Sequence, residues 1–163
     1  MKQIIALVTG IVLSYSIASA YNPLDRLDLL IEENDKAYEI QWFFAPGREL
    51  RRDFGTPVAG AYDYHTRSIV INMNLMPAMI ETTFYHELCH DMWYYGLTEE
   101  QQDEYSEYWY WEREAPTEYS KKNVTENFAE MCRIAKYDKW MDVTRTAIPR
   151  IKESTQYLFF QDL

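Results

Sequence analysis

The apolar side chains of this chain recur at two spacings, one typical of helices and one typical of strands. Residues 77–95 have apolar positions at the helical spacing, on one face: Ile80, Phe84, Leu88, Met92 and Tyr95. Just before them, residues 60–64 and 67–73 alternate in the manner of strands, with a turn near His65 and Thr66. The pattern therefore predicts a β-hairpin that leads directly into a long helix.

Other segments predict the remaining elements. Residues 38–44 alternate like a strand, and Thr98 and Gln101 have the spacing of a capping box that starts a helix. Further helices are predicted over residues 23–35, 48–53, 124–137 and 149–160. A short sheet combined with separate helices is typical of the α+β class. With 163 residues and no linker, the chain has room for one domain.

Residues 1–20 have the pattern of a signal peptide. Lys2 gives a basic start, an apolar run follows it, and residues 18–20 (Ala-Ser-Ala) form a small-residue cleavage site. An uncleaved membrane anchor is the alternative, although the apolar run is short for a membrane span. We expect cleavage after Ala20, a single mature domain over residues 21–163, and a secreted or periplasmic protein.

The charge of the chain limits its partners. The sequence carries 26 acidic and 16 basic side chains, which gives a net charge of −10. Removal of residues 1–20, whose only charged side chain is Lys2, would change this to −11. Such a chain repels nucleic acid and anionic membranes, so we expect neither as a partner beyond export itself.

Residues 86–90, His-Glu-Leu-Cys-His, have the His-Glu-x-x-His pattern of helical zinc sites. Four residues apart on a helix, His86 and His90 project from one face and can ligate one ion. Glu87 then lies beside the ion as a candidate general base for a zinc-bound water. The alternative is a pair of surface histidines on an unrelated helix. The third histidine, His65, falls in the predicted turn, where we expect it to be exposed.

A catalytic zinc of this type needs a third protein ligand. No histidine follows His90, so a carboxylate is required. Glu126 and Glu130 lie four residues apart on one face of the helix predicted over residues 124–137. The alternative is a solvated acidic face, which Phe128 and the neighbouring apolar residues disfavour.

Residues 86–90 and 126–130 together resemble the gluzincin metallopeptidases, and most closely the family of the anthrax lethal factor catalytic domain. The resemblance extends over residues 60–160 and keeps the order of hairpin, histidine helix, glutamate helix and terminal helix. It implies a zincin-like α+β domain, with a small mixed or antiparallel sheet beside an active-site helix and a glutamate helix. It also implies one zinc ion per chain and a peptide or protein substrate.

The resemblance assigns roles to three further residues. Glu126 would be the third zinc ligand, and Glu130 would hydrogen-bond the distal nitrogen of His86 and fix its tautomer. Tyr119, seven residues before Glu126, would stabilise the oxyanion of the tetrahedral intermediate. Cys89 departs from the family, in which glycine is usual at this position.

Cys89 and Cys132 are the two cysteines of the chain, and export would bring them into an oxidising compartment. If Glu126 lies level with Cys89, Cys132 is about 9 Å further along its helix, whereas the Cα atoms of a disulfide lie about 4.4 to 6.8 Å apart. Two buried thiols are therefore expected, with a disulfide as the alternative.

The sequence thus predicts a secreted or periplasmic zinc-dependent metalloendopeptidase. In this hypothesis His86, His90 and Glu126 bind zinc, Glu87 is the general base and Tyr119 is the oxyanion donor. The alternative is a non-catalytic, zinc-stabilised protein that binds a peptide. Glu87 disfavours this alternative, because a structural zinc site has four protein ligands and no use for a base.

Overall fold

The structure is a computed structural model that describes residues 22–141, 143, 145–161 and 163. It has an α+β architecture that combines one small sheet with a set of α-helices. The predicted signal peptide, residues 1–20, lies outside the described residues. Within those residues we find no helix with the length and apolar character needed to span a membrane.

The elements follow in chain order. The strands are β1 (Gln41–Ala45), β2 (Gly60–Asp63) and β3 (Ser68–Asn72). The α-helices are α1 (Pro23–Glu32), α2 (Gly47–Phe54), α3 (Pro77–Asp91), α4 (Glu99–Glu112), α5 (Val124–Ala135), α6 (Ile148–Glu153) and α7 (Thr155–Leu158). Short 3-10 turns span Asp35–Glu39, Tyr119–Lys121 and Phe159–Gln161, and a π turn over Met92–Gly96 continues α3.

The sheet is mixed and has the strand order β1-β3-β2. β1 pairs with β3 in parallel, and β2 pairs with β3 in the antiparallel hairpin that the sequence predicts. Ile69 and Ile71 of the central strand are fully buried. β2 lies at one edge of the sheet, on the side of the histidine helix.

Helix α3, called the histidine helix here, lies between two hydrophobic cores. Ile80 and Phe84 pack into a core shared with α1 and β3, whereas Trp93 packs into a second core shared with α5 and the C-terminal residues. Pro77 occupies the first turn of the helix, where backbone N–H groups have no acceptor within the helix, so the absence of an N–H in proline costs no hydrogen bond. The histidine helix is therefore held from both sides along its length.

The apolar face predicted for this helix is confirmed at three of its positions and wrong at its end. Ile80, Phe84 and Leu88 are buried, but Tyr95 is 53% exposed. The π turn that starts at Met92 changes the angular spacing of the side chains, so Tyr95 no longer falls on the buried face.

Cys89 and Cys132 form a disulfide, with Cα atoms 5.9 Å apart, between the histidine helix and α5, called the glutamate helix here. The expectation of two buried thiols is therefore wrong. It assumed that Glu126 lies level with Cys89, whereas the two helices cross so that Cys132 is the residue beside it. The covalent bond fixes the pair of helices that carry the predicted ligands.

Two other predicted helices show how caps determine their bounds. The capping box of α4 is present, since Thr98 Oγ1 accepts from the Gln101 N–H and the Gln101 side chain accepts from the Thr98 N–H. The terminal helix predicted over residues 149–160 is interrupted at Ser154. Its hydroxyl accepts from the Tyr157 N–H and so starts α7 as a separate helix.

Candidate metal centre

Three side chains from two helices converge on one point. His86 and His90 project from the histidine helix, and Glu126 projects from the first turn of the glutamate helix. His86 Nε2, His90 Nε2 and Glu126 Oε2 lie 3.2 Å from one another in all three pairs. The structure thus brings together the three residues that the sequence predicts as metal ligands.

This triangle fits a tetrahedral zinc ion. Zinc bonds of about 2.0 to 2.2 Å to nitrogen and oxygen place two tetrahedral ligand atoms about 3.3 to 3.6 Å apart. The observed separations of 3.2 Å lie just below that range. Two imidazoles and one carboxylate are also the donor set that leaves a fourth position for water or substrate in catalytic zinc sites.

The tautomer of His86 gives a second reason to expect a cation. Its Nδ1 lies 2.8 Å from Glu130 Oε1. Because an ionised carboxylate only accepts, Nδ1 donates, and the Nε2 atom of the neutral ring presents a lone pair to Glu126. Burial lowers the pKa of His86, but hydrogen bonds to Glu126 and Glu130 and the charge of Glu87 raise it to about 10. A metal ion would take the place of that extra proton.

Each of the two carboxylate oxygens of Glu130 accepts two hydrogen bonds. Oε1 accepts from His86 Nδ1 and from Arg133 Nε at 3.0 Å, while Oε2 accepts from Thr117 Oγ1 at 3.0 Å and from Arg133 Nη2 at 2.6 Å. Burial alone would raise the pKa of Glu130, but the bonds to His86 and Arg133 lower it to about 2. The carboxylate therefore lies against the distal nitrogen of His86, in the position that the resemblance implies.

Arg133 is a site residue that the sequence patterns did not reveal. It is 2% exposed, and besides Glu130 its guanidinium donates to the backbone carbonyls of Lys139 and Met141. A buried guanidinium needs an anion and further acceptors, and it has both here. The signal in the sequence was a basic residue three positions after Glu130 within an apolar stretch, on the same helical face.

Glu87 lies at the bottom of a cleft and is 5% exposed. Burial raises the pKa of its carboxyl group, and the nearby rings of His86 and His90 oppose that rise only in part. A carboxylate with a raised pKa takes up and releases a proton more readily near neutral pH. The position beside the predicted ligands is the one that the motif predicts for a general base.

Gly60 lets β2 approach this carboxylate closely, a role that no pattern in the sequence indicates. A Cβ atom at Gly60 would lie 2.9 Å from Glu87 Oε1 and 2.7 Å from Thr83 Cγ2. Both distances are shorter than van der Waals contact, so a larger residue would require Glu87 and Thr83, or the strand itself, to shift. The absence of a side chain at Gly60 thus lets the sheet edge come close to the Glu87 carboxylate.

Tyr119 lies at the rim of the centre and is 44% exposed. Its hydroxyl donates to Glu126 Oε1 at 2.9 Å, and Lys122 Nζ lies 3.6 Å from the centre of its ring. Burial and the charge of Glu126 raise the pKa of the phenol, which keeps it protonated and able to donate. The structure therefore places an O–H donor next to the predicted ligands.

A cleft of about 570 Å³ opens beside these residues. Its base includes His86 and Glu87, and Tyr119 and Lys122 line one side. The lining also includes residues 56–60, which lead into β2, and the apolar side chains of Met79 and Met141. The volume falls in the range of ligand sites in proteins.

The edge of β2 has backbone groups free for pairing. The Ala59 carbonyl accepts from the Asn72 N–H at 2.8 Å. Because bonded and non-bonded pairs alternate along an antiparallel ladder, Gly60 and Tyr62 direct their N–H and C=O groups away from β3. Among the described residues no further strand pairs with this edge. An extended polypeptide could add to it by backbone hydrogen bonds.

Asp91 fastens the hairpin to the end of the histidine helix, and the sequence patterns did not reveal this residue either. Its Oδ1 accepts from Tyr62 Oη at 2.9 Å and from Arg67 Nε at 2.8 Å, and its Oδ2 accepts from Arg67 Nη2 at 3.0 Å. Asp91 is 4% exposed, whereas the Arg67 side chain is 28% exposed, so the carboxylate of this bidentate pair is buried and the guanidinium lies partly in solvent. His65, in contrast, lies exposed in the hairpin turn, as expected.

Comparison of the chain with known protein families, with curated proteins and with solved structures finds no match. The resemblance to the gluzincins therefore remains a prediction from the motifs.

Proposed function

We propose that this protein is a zinc-dependent metallopeptidase with a zincin-like fold of the gluzincin type. The observation that carries the proposal is the triangle of His86 Nε2, His90 Nε2 and Glu126 Oε2, with 3.2 Å sides, beside the buried carboxylate of Glu87. The cleft and the open edge of β2 support a polypeptide as the substrate.

His86, His90 and Glu126 would hold one zinc ion per chain. When bound, zinc supplies a Lewis acid that polarises a peptide carbonyl and increases the acidity of a water molecule. Glu130 holds the ring of His86 with its lone pair directed toward the centre. Arg133 holds Glu130 in turn, so the ligand set is oriented before an ion arrives.

Glu87 transfers protons, and Tyr119 stabilises the negative charge that develops on the substrate oxygen. Glu87 accepts a proton from the attacking water and returns it to the leaving amine, and its raised pKa suits both transfers. The Tyr119 hydroxyl donates to the oxygen on which negative charge develops during attack. The backbone groups of Gly60 and Tyr62 bind the extended substrate above Glu87.

The disulfide supports the second part of the proposal, which is that the protein is secreted or periplasmic. Disulfides such as Cys89–Cys132 form and persist in oxidising compartments. N-terminal sequencing of the exported protein tests this, since cleavage after Ala20 gives Tyr21 as the first residue.

The Glu87→Gln variant tests the enzymatic proposal. The amide keeps the size of the side chain but removes the base, so zinc content should stay at the wild-type level while hydrolysis falls steeply. A proteome-derived peptide library incubated with each protein, followed by profiling of new N-termini, detects cleavage even though the substrate is unidentified. Equal cleavage by both proteins would contradict the mechanism. Binding of peptides without cleavage by the wild type would favour the alternative, a non-catalytic, zinc-stabilised protein that binds a peptide.

A further inference from the structure

Three tyrosines form a stack that begins beside the candidate metal centre, and we call Tyr62, Tyr64 and Tyr94 the tyrosine ladder. The Tyr62 ring lies nearly parallel to the ring of His90, with centroids 6.4 Å apart. Tyr94 follows at 6.0 Å from Tyr62, and Tyr64 at 4.9 Å from Tyr94. The ladder thus leads from a predicted ligand to the turn of the hairpin.

Two hydrogen bonds hold the ladder in place, and two of its rings remain open to solvent. The hydroxyl of Tyr62 donates to Asp91, and the hydroxyl of Tyr95 donates to the backbone carbonyl of Tyr64. In spite of the stacking, Tyr64 is 45% exposed and Tyr94 is 40% exposed. Aromatic side chains that are already ordered lose little conformational freedom when they bind a ligand.

The strand geometry places this surface in the path of an extended substrate. Gly60 and Tyr62 lie two residues apart, so both side-chain positions face the histidine helix, while their backbone groups face the open edge. A chain paired with that edge passes Glu87 at Gly60. At about 3.3 Å per residue it reaches Tyr62 roughly two residues later, and Tyr64 lies just beyond, in the turn that follows the end of β2 at Asp63.

We propose that the tyrosine ladder is a substrate subsite that selects an aromatic or proline side chain two to four residues from the scissile bond. The inference rests on the proposed peptidase function. Rings of these two kinds present flat apolar surfaces, which pack well against the faces and edges of tyrosine rings. The occupant is the polypeptide substrate that also lies in the cleft. The register in which it pairs with β2 determines which of its side chains contacts the ladder.

Cleavage profiling with matched variants tests this subsite. A proteome-derived peptide library is digested with zinc-loaded wild type, Tyr64→Ala, Tyr94→Ala and the control Tyr110→Ala, which removes a 57% exposed tyrosine of α4. The wild type should cleave more peptides with an aromatic residue or proline than with alanine at a position two to four residues from the scissile bond. The ratio of these two cleavage frequencies should fall roughly 3- to 10-fold in Tyr64→Ala and Tyr94→Ala, the loss expected for one aromatic contact. It should stay at the wild-type value in Tyr110→Ala.

Zinc content and the Glu87→Gln variant separate the possible failures. Zinc content at the wild-type level in Tyr64→Ala and Tyr94→Ala shows that a changed ratio does not come from metal loss. Two outcomes overturn the subsite and leave the peptidase proposal standing. The first is Glu87-dependent cleavage by the wild type with no preference at these positions. The second is a ratio that stays at the wild-type value in both Tyr64→Ala and Tyr94→Ala. Absence of any Glu87-dependent cleavage overturns the proposed function and the subsite with it.

Discussion

His86 and Glu130 form a buried hydrogen bond of 2.8 Å that joins the two helices of the candidate metal centre. The bond keeps a proton on His86 Nδ1 and directs Nε2 at the other two predicted ligands, where a metal ion would replace the proton that Nε2 takes up in its absence. Arg133 supplies two of the four hydrogen bonds that hold Glu130 in this position. Metal affinity should therefore depend on a residue that need not touch the metal.

The Glu130→Gln variant should bind zinc about 10- to 100-fold more weakly, because the amide no longer holds the His86 ring as an anion does and leaves Arg133 without its buried counter-charge. Competition with a zinc chelator at constant pH measures this affinity. Glu107→Gln, at an exposed position on α4, is the control. An unchanged affinity in Glu130→Gln would show that the hydrogen bond does not tune the centre.

The Tyr119→Phe variant should keep its zinc and lose turnover by about 10²- to 10³-fold if the hydroxyl is the sole oxyanion donor. The effect should appear mainly in kcat, because the donor interacts most strongly with the charge that develops in the transition state. Steady-state kinetics on a peptide identified by cleavage profiling measure it. A rise in KM with kcat unchanged would instead assign Tyr119 to substrate binding.

Removal of the disulfide in the double variant Cys89→Ala/Cys132→Ala should lower the free energy of unfolding by about 4 kcal/mol, the loop-closure value for a sequence separation of 43 residues. Urea unfolding of zinc-loaded protein, with and without reductant, provides the measurement. The wild type should lose stability in reductant, whereas the double variant should not respond. Equal stability of wild type and double variant would contradict this contribution.

The metal-free protein should lose stability as the pH rises from 6.5 to 9. His86 has a pKa of about 10 in the folded state against an ordinary value of 6.5, because its bonds to Glu126 and Glu130 outweigh the opposing effect of burial. A group with a raised folded pKa contributes its full stability below the unfolded pKa and loses it toward the folded pKa. Urea unfolding of chelator-treated protein across this range tests the slope. Zinc-loaded protein is the control, since the ion replaces the proton and should remove this decline.

Local sequence patterns predict most of the fold and several residues of the candidate metal centre. The hairpin and the histidine helix follow from side-chain spacing, and His86, Glu87 and His90 follow from a motif that depends only on one helical turn. None of these features depends on how distant segments meet.

The residues that the sequence patterns did not reveal depend on tertiary contacts. Asp91 pairs with Arg67 of the hairpin, and Gly60 is needed only because β2 comes so close to Glu87. The expectation of two free thiols is wrong for the same reason, since the crossing of two helices decides which residue lies beside Cys89. A spacing along one helix does not contain that information.

Zinc stoichiometry in the Glu126→Ala variant is the most direct test of the central claim, that His86, His90 and Glu126 form one zinc site. Elemental analysis of purified protein should give one zinc per chain for the wild type and for the control Glu107→Ala. In Glu126→Ala zinc should be lost, because removal of a direct ligand costs more than the 10- to 100-fold seen when a supporting hydrogen bond is removed. One zinc per chain retained at undiminished affinity in Glu126→Ala, or no zinc in the wild type, would contradict the account.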